Sequence, residues 1–132
     1  MKNNERTYSF LKSNGFELIQ KDTSAFFGDY YDTFSSGSFQ LRFSNSKSFE
    51  TVEVRSNLPN EKWYDLALVK ALLYDKKNLN NVTTIEEYRG FLQKELTNIA
   101  GLFSDRNYPV TKKRLEELGN ERAEQMFPGM RK

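Results

Sequence analysis

Two aspartates stand three residues apart in the aromatic stretch FFGDYYDTFSSGSFQLRF, residues 26–43. Carboxylates at close quarters can act as general acid and base or hold a cation. On a strand, however, side chains alternate between faces, so Asp29 and Asp32 point in opposite directions and form no pair. The adjacent acids Glu86-Glu87 and Glu116-Glu117 fall in helical patterns, where cap and dipole roles are available to them. The chain has no histidine and no cysteine. That removes Ser-His and Cys-His nucleophiles, thiolate chemistry, disulfides and zinc–thiolate sites. Glycine-rich phosphate loops, dinucleotide fingerprints and nucleophile elbows do not occur. No residue set selects a reaction, a metal or a cofactor, and we expect a protein that is not an enzyme.

Where Asp32 ends up depends on the strands around it. Extended structure opens at Phe16, and alternation then marks strands over 26–35, 39–45 and 49–55, with turns at Ser36-Gly37 and 45–48. A two-residue loop at Ser36-Gly37 sets Phe34 opposite Phe39, Asp32 opposite Leu41 and Tyr30 opposite Phe43. On the other face it sets Thr33 against Gln40 and Tyr31 against Arg42. In the second hairpin, the register that keeps Arg42 away from Arg55 puts Leu41 beside Val54, Phe43 beside Val52 and Arg42 beside Glu53. The inward face then carries Tyr30, Phe34, Phe39, Leu41, Phe43, Val52 and Val54. Asp32 falls among them, where an unpaired carboxylate is costly. Four outcomes stay open for it: a bulge that turns it outward, a place at the open edge of the core, a partner such as a tyrosine hydroxyl, or a catalytic role with raised pKa.

The outward face collects Phe27, Asp29, Tyr31, Thr33, Gln40, Arg42, Thr51, Glu53 and Arg55. A row Tyr31–Arg42–Glu53 would join a ring–guanidinium contact to an ion pair. The simplest expectation is a solvated sheet face. The sharper one is a partner-binding surface of Phe27, Tyr31, Arg42, Glu53 and Arg55, because tyrosine and arginine dominate interface hot spots.

Helical patterns flank these strands. A short helix over 5–13 ends at Asn14-Gly15. The first long helix is expected to start from Asn60 as N-cap and run through EKWYDLALVKALLY, carrying Trp63 into the core. The second opens at Thr83 with Glu86 closing a capping box, and its stripe is Ile85, Tyr88, Leu92, Leu96, Ile99 and Phe103. The third begins at Thr111 behind a Val110–Leu115 staple, with an interruption allowed at Gly119-Asn120. Lys112-Lys113-Arg114 would then oppose the dipole in a first turn and hint at an anionic partner. Glu116, Glu117 and Glu121 lie within helical reach, which favours a self-paired face. Together these patterns predict one α+β domain over 1–132: a short N-terminal helix, an antiparallel meander of about four strands, and three helices packed on one face of the sheet.

At 132 residues the chain can bury one substantial core, and its function must be read from its surfaces and from the residue types it lacks. Twenty basic against eighteen acidic residues leave a net charge of +2, which argues against nucleic acid and against an anionic membrane surface. No apolar run approaches the roughly 18 residues of a membrane span, and the N-terminus lacks a secretory apolar region. The expected location is cytoplasmic. A homo-oligomer stays open.

Several short motifs are similar to those of a group of small bacterial proteins, mostly uncharacterised, some encoded beside secreted toxins as suspected immunity proteins. They are Leu41-Arg42-Phe43, Val52-Glu53-Val54, Trp63-Tyr64-Asp65, Phe91-Leu92, Leu102-Phe103-Ser104, Arg122-Ala123 and Met126-Phe127. The likeness spans roughly residues 26–128. Where such proteins often carry an Asp-Arg-Gly-Gln-Trp-like turn, this chain has Ser44-Asn45-Ser46-Lys47-Ser48. The resemblance implies a binding protein that neutralises a toxin, and it supplies no catalytic residue. The alternative is a small ligand-binding or hydrolase domain using Asp, Glu and Tyr in a cleft between sheet and helices.

Overall fold

In a computed structural model, which describes residues 2–23, 30–46, 49–77, 79 and 83–127, the chain opens with helix α1, Lys2–Ser13. Gly15, at φ 87°, ends it, and the Phe16 and Gly15 amides return to the Leu11 and Lys12 carbonyls at 3.0 and 3.4 Å. Glycine takes this left-handed position without the Cβ penalty, and the reversal drops both Leu11 and Phe16 into the core.

Five strands follow, each antiparallel to the next and in sequence order across the sheet: β1 (Glu17–Thr23), β2 (Tyr30–Ser35), β3 (Phe39–Ser46), β4 (Phe49–Ser56) and β5 (Tyr64–Asp65). The meander thus has one strand more than the four expected, because β5 is two residues long and hidden in a helical pattern. Phe27 and Asp29 lie outside the described residues. The first hairpin is also displaced from the expected register. Phe34 pairs with Leu41, Asp32 with Phe43, Thr33 with Arg42 and Tyr31 with Ser44. The turn is Gly37-Ser38 rather than Ser36-Gly37, since the Ser36 amide donates to the Phe39 carbonyl at 3.0 Å and the Ser36 hydroxyl caps the turn. A displacement by two residues on one strand preserves the faces, so the inward set survives. The β3–β4 register is as expected, with Arg42 opposite Glu53 and Leu41 opposite Val54.

Helix α2 is Leu66–Tyr74, not a helix from Asn60. Asn60 takes a left-handed turn at φ 63°, and Asp65 is the N-cap, accepting from the Ala67 amide at 2.9 Å. Helix α3, Ile85–Leu102, carries the expected stripe, but its capping box is Thr84 with Glu87. Moving the box one residue on places Ile85 at the first helical position, where it is buried. Helix α4, Tyr108–Met126, starts before Thr111 because Pro109 fits a first turn, where no amide bond is lost. Val110 is 70 % exposed and forms no staple, and the helix passes unbroken through Gly119 and Asn120.

The core lies between the inward sheet face and the helices. Rings link the layers: Tyr8 of α1 sits 4.7 Å from Phe34 and 5.5 Å from Phe43, and Phe39 sits 5.9 Å from Phe103, which stacks on Tyr108 at 5.7 Å. Each such contact adds about 0.5–1.5 kcal/mol to the area buried.

Candidate functional site

Parity along β4 and β5 builds the outward face. Tyr64 pairs with Val54 and is buried, so Trp63 before it turns outward. Asp65 after it stands at the sheet edge, where its carboxylate reaches Tyr88 of α3 and Arg122 of α4. Residues of one row, Gln20, Thr33, Arg42, Glu53 and Asp65, then lie side by side across all five strands. Arg42 donates from Nε and a terminal nitrogen to Glu53 Oε1, at 2.9 and 2.6 Å. Its guanidinium carbon lies 4.4 Å from the centre of the Trp63 ring, and that of Arg55 lies 5.4 Å from it.

Of the residues expected to bind a partner, Arg42, Glu53 and Arg55 therefore meet, while Tyr31 does not join their row. Tyr31 faces Ser44, two positions further along, and is 42 % exposed. The ring that packs on Arg42 is Trp63, which is half-buried on this face rather than in the core. Tyr31 and the arginine–tryptophan group instead border one groove of ≈ 390 Å³, with Ile19, Gln20, Asp22, Thr33 and Gln40. Ile19 is 54 % exposed, and the bulge between Leu18 and Gln20 on the edge strand brings it to the rim.

Charge is unevenly satisfied here. Arg42 has Glu53, whereas no described carboxylate pairs with Arg55, and its Nε is buried without an acceptor. A buried donor left unmatched costs about 1–3 kcal/mol.

On the far side of Trp63 a second cleft of ≈ 420 Å³ runs between the sheet edge and α4, and it holds Glu53, Asp65, Glu116 and Tyr64. Its acids are all engaged. Asp65 accepts from Arg122 at 2.9 Å and from the Tyr88 hydroxyl at 3.3 Å, and Glu116 accepts from Lys62 at 2.8 Å and Tyr64 at 2.7 Å. Beside it, Glu61 accepts from the Tyr108 hydroxyl at 2.6 Å and pairs with Lys112 at 3.2 Å. The Tyr108 and then the Lys112 bond hold Glu61 below the usual carboxylate range, and the Lys62 bond, then the Tyr64 bond, does so for Glu116. Burial, then the glutamate partner, pushes Tyr64 and Tyr108 well above the ordinary phenol value. These tyrosines stay protonated donors, and the glutamates stay ionised acceptors. The basic run 112–114 is accordingly divided, Lys112 reaching Glu61 while Arg114 pairs with Glu117 at 2.6 Å. With α4 beginning at Tyr108, this run occupies its second turn, not the first.

Asp32 is inward and 5 % exposed, and the Tyr8 hydroxyl donates to its Oδ2 at 2.7 Å. Of the four outcomes, the tyrosine partner is the one observed. Its Oδ1 has no hydrogen bond among the described residues. No group of three or more acids converges as a metal site among the described residues, and none of their helices is long and apolar enough to cross a membrane.

Neither a protein-family model, nor a curated protein, nor a solved structure matches this chain. The class to which it is assigned is that of the fold itself, an α+β domain with helices on one sheet face and an uncovered groove on the other.

Proposed function

We propose that the chain is a non-enzymatic, cytoplasmic binding protein that holds a protein partner on the outward sheet face. One observation carries this reading: Trp63 lies against Arg42 and Arg55 at a groove that Tyr31 also borders. Tryptophan, arginine and tyrosine are the side chains that most often dominate binding energy at protein interfaces. The acids of the second cleft are each bonded to cations or tyrosines, which supports the binding reading over a hydrolase in a sheet–helix cleft. The resemblance of its short motifs to those of toxin-linked bacterial proteins suggests an immunity-type role, in which the partner is a toxin.

The test compares proteins retained by the immobilised chain and by its Trp63→Ala and Tyr31→Ala variants, each verified as folded by circular dichroism. A partner bound by the native chain should be lost by Trp63→Ala, by a factor of roughly thirty or more for a hot-spot tryptophan. Equal retention by all three proteins rejects this face. For the immunity role, co-expression of the chain should relieve the lethality of that partner, and undiminished killing would reject it.

A further inference from the structure

We infer that the group recognised in this groove is an aspartate or glutamate side chain of the protein partner, held by the Arg55 guanidinium beside Trp63. The inference rests on the binding reading above and names its anchor.

Arg55 is the cation on this face without a described counter-ion. The neighbouring Arg42 is neutralised by Glu53, so it serves as a fixed support for Trp63 rather than as a competing anion site. The Nε of Arg55 is buried and has no acceptor, so no described group neutralises this guanidinium. Its terminal nitrogens, which are not among the buried unmatched atoms, are the ones an arriving carboxylate would meet. A guanidinium packed on an indole keeps its edges for in-plane hydrogen bonds, and a carboxylate matches two of them at once.

Charge placement agrees. Asp22 is the acid among the residues lining the groove, and it sits at the opposite corner: Asp22 pairs with Tyr31 on β1–β2, whereas Arg55 pairs with Gln40 on β3–β4. Strand spacing and rise put the two backbones roughly 20 Å apart. Asp22 thus stands at the end of the groove away from Arg55. Gln20, Thr33 and Gln40 lie between as uncharged hydrogen-bonding groups. A nucleic acid strand fits less well, because the surface beyond Trp63 presents Glu53, Asp65 and Glu116.

Trp63 is the chain's one tryptophan, so its emission reports this corner alone. The probes are an acetylated, amidated Gly-Glu-Gly-Glu-Gly peptide, its Gln counterpart and inorganic phosphate, each titrated at constant ionic strength. The glutamate peptide should change Trp63 emission saturably, with half-saturation at or below about 1 mM. The Gln peptide and phosphate should need at least about tenfold more, and Arg55→Gln, with unaltered circular dichroism, should weaken the glutamate response about tenfold. No saturable response, an equal response to the Gln peptide or to phosphate, or one unchanged in Arg55→Gln overturns the proposal. Retention of the partner separates the two readings: loss on Trp63→Ala with none on Arg55→Gln leaves the face standing and removes this anchor.

Discussion

Tyr64 turns inward, and that single parity places Trp63 on the outward face. Apolar spacing alone hides it, because Trp-Tyr-Asp-Leu fits the start of a helix as well as the end of a strand. The available signal was Asp65, a strong N-cap type directly before the apolar run from Leu66. Arg42, Glu53 and Arg55 were legible, since alternation and charge choose the β3–β4 register unaided. The unmatched Nε of Arg55 was not, because it depends on a segment that the sequence assigns to a helix. Asp32 was legible as an inward acid but not its helper, Tyr8, which comes from another element. At this scale we predict that Tyr8→Phe costs about 1–3 kcal/mol, since it strips a buried carboxylate of its described hydrogen bond. The double variant with Asp32→Leu should recover most of that loss in urea unfolding. A neutral Tyr8→Phe, or strict additivity of the pair, would show that the bond contributes nothing.

Elements were read more reliably by periodicity than at their ends. The stripe of α3 and the inward strand faces follow from spacing, while the cap of α2, the box of α3 and the start of α4 moved by one to five residues. Caps are chosen by which boundary buries the first apolar side chain, and that is a tertiary choice. The hairpin register gives a direct test. A Ser36-Gly37 loop would demand a left-handed glycine, but Gly37 lies outside that region and an added Cβ would meet nothing within 4 Å. Gly37→Ala should therefore change stability by less than about 0.5 kcal/mol, whereas Gly15→Ala, at φ 87°, should cost about 1–2 kcal/mol. Comparable losses at both glycines would contradict the Gly37-Ser38 turn. Asp65 has two separable roles. Asp65→Asn keeps the cap and loses the partly exposed Arg122 pair, costing up to about 1 kcal/mol, and Asp65→Ala should cost a further 0.5–2 kcal/mol or so. Equal melting points for the two variants would remove the cap from consideration.

Over the whole molecule, α4 is fastened to the 61–64 segment by two glutamates whose partners lie some fifty residues away in sequence, a separation of 47 for Tyr108–Glu61 and 52 for Tyr64–Glu116. No local pattern announces such pairings, although the α+β order itself was readable from element periodicity. They contribute to the pH response, together with Glu87, held low by its Thr84 bonds, and Glu95, held low by its Asn98 and Tyr74 bonds. Glu61 and Glu116 are held below their ordinary value of 4.5, so their contribution is full above that pH and is lost as pH falls through the lower folded values. Tyr64 and Tyr108 are raised above 10.0, so their contribution is full below that pH and is lost only as pH rises beyond it. With no histidine in the chain, the melting temperature should be level from about pH 5 to about pH 9 and fall in acid. Glu61→Gln with Glu116→Gln should flatten that acid limb, and a melting temperature that moves between about pH 6 and 8 would contradict the assignment.

The role of the outward face is tested most directly by fluorine NMR of the protein carrying fluorotryptophan at Trp63, its single tryptophan. On addition of the captured partner, the Trp63 resonance should shift or broaden in proportion to complex formed. A resonance that stays unchanged while size-exclusion chromatography shows the complex would contradict partner binding on this face.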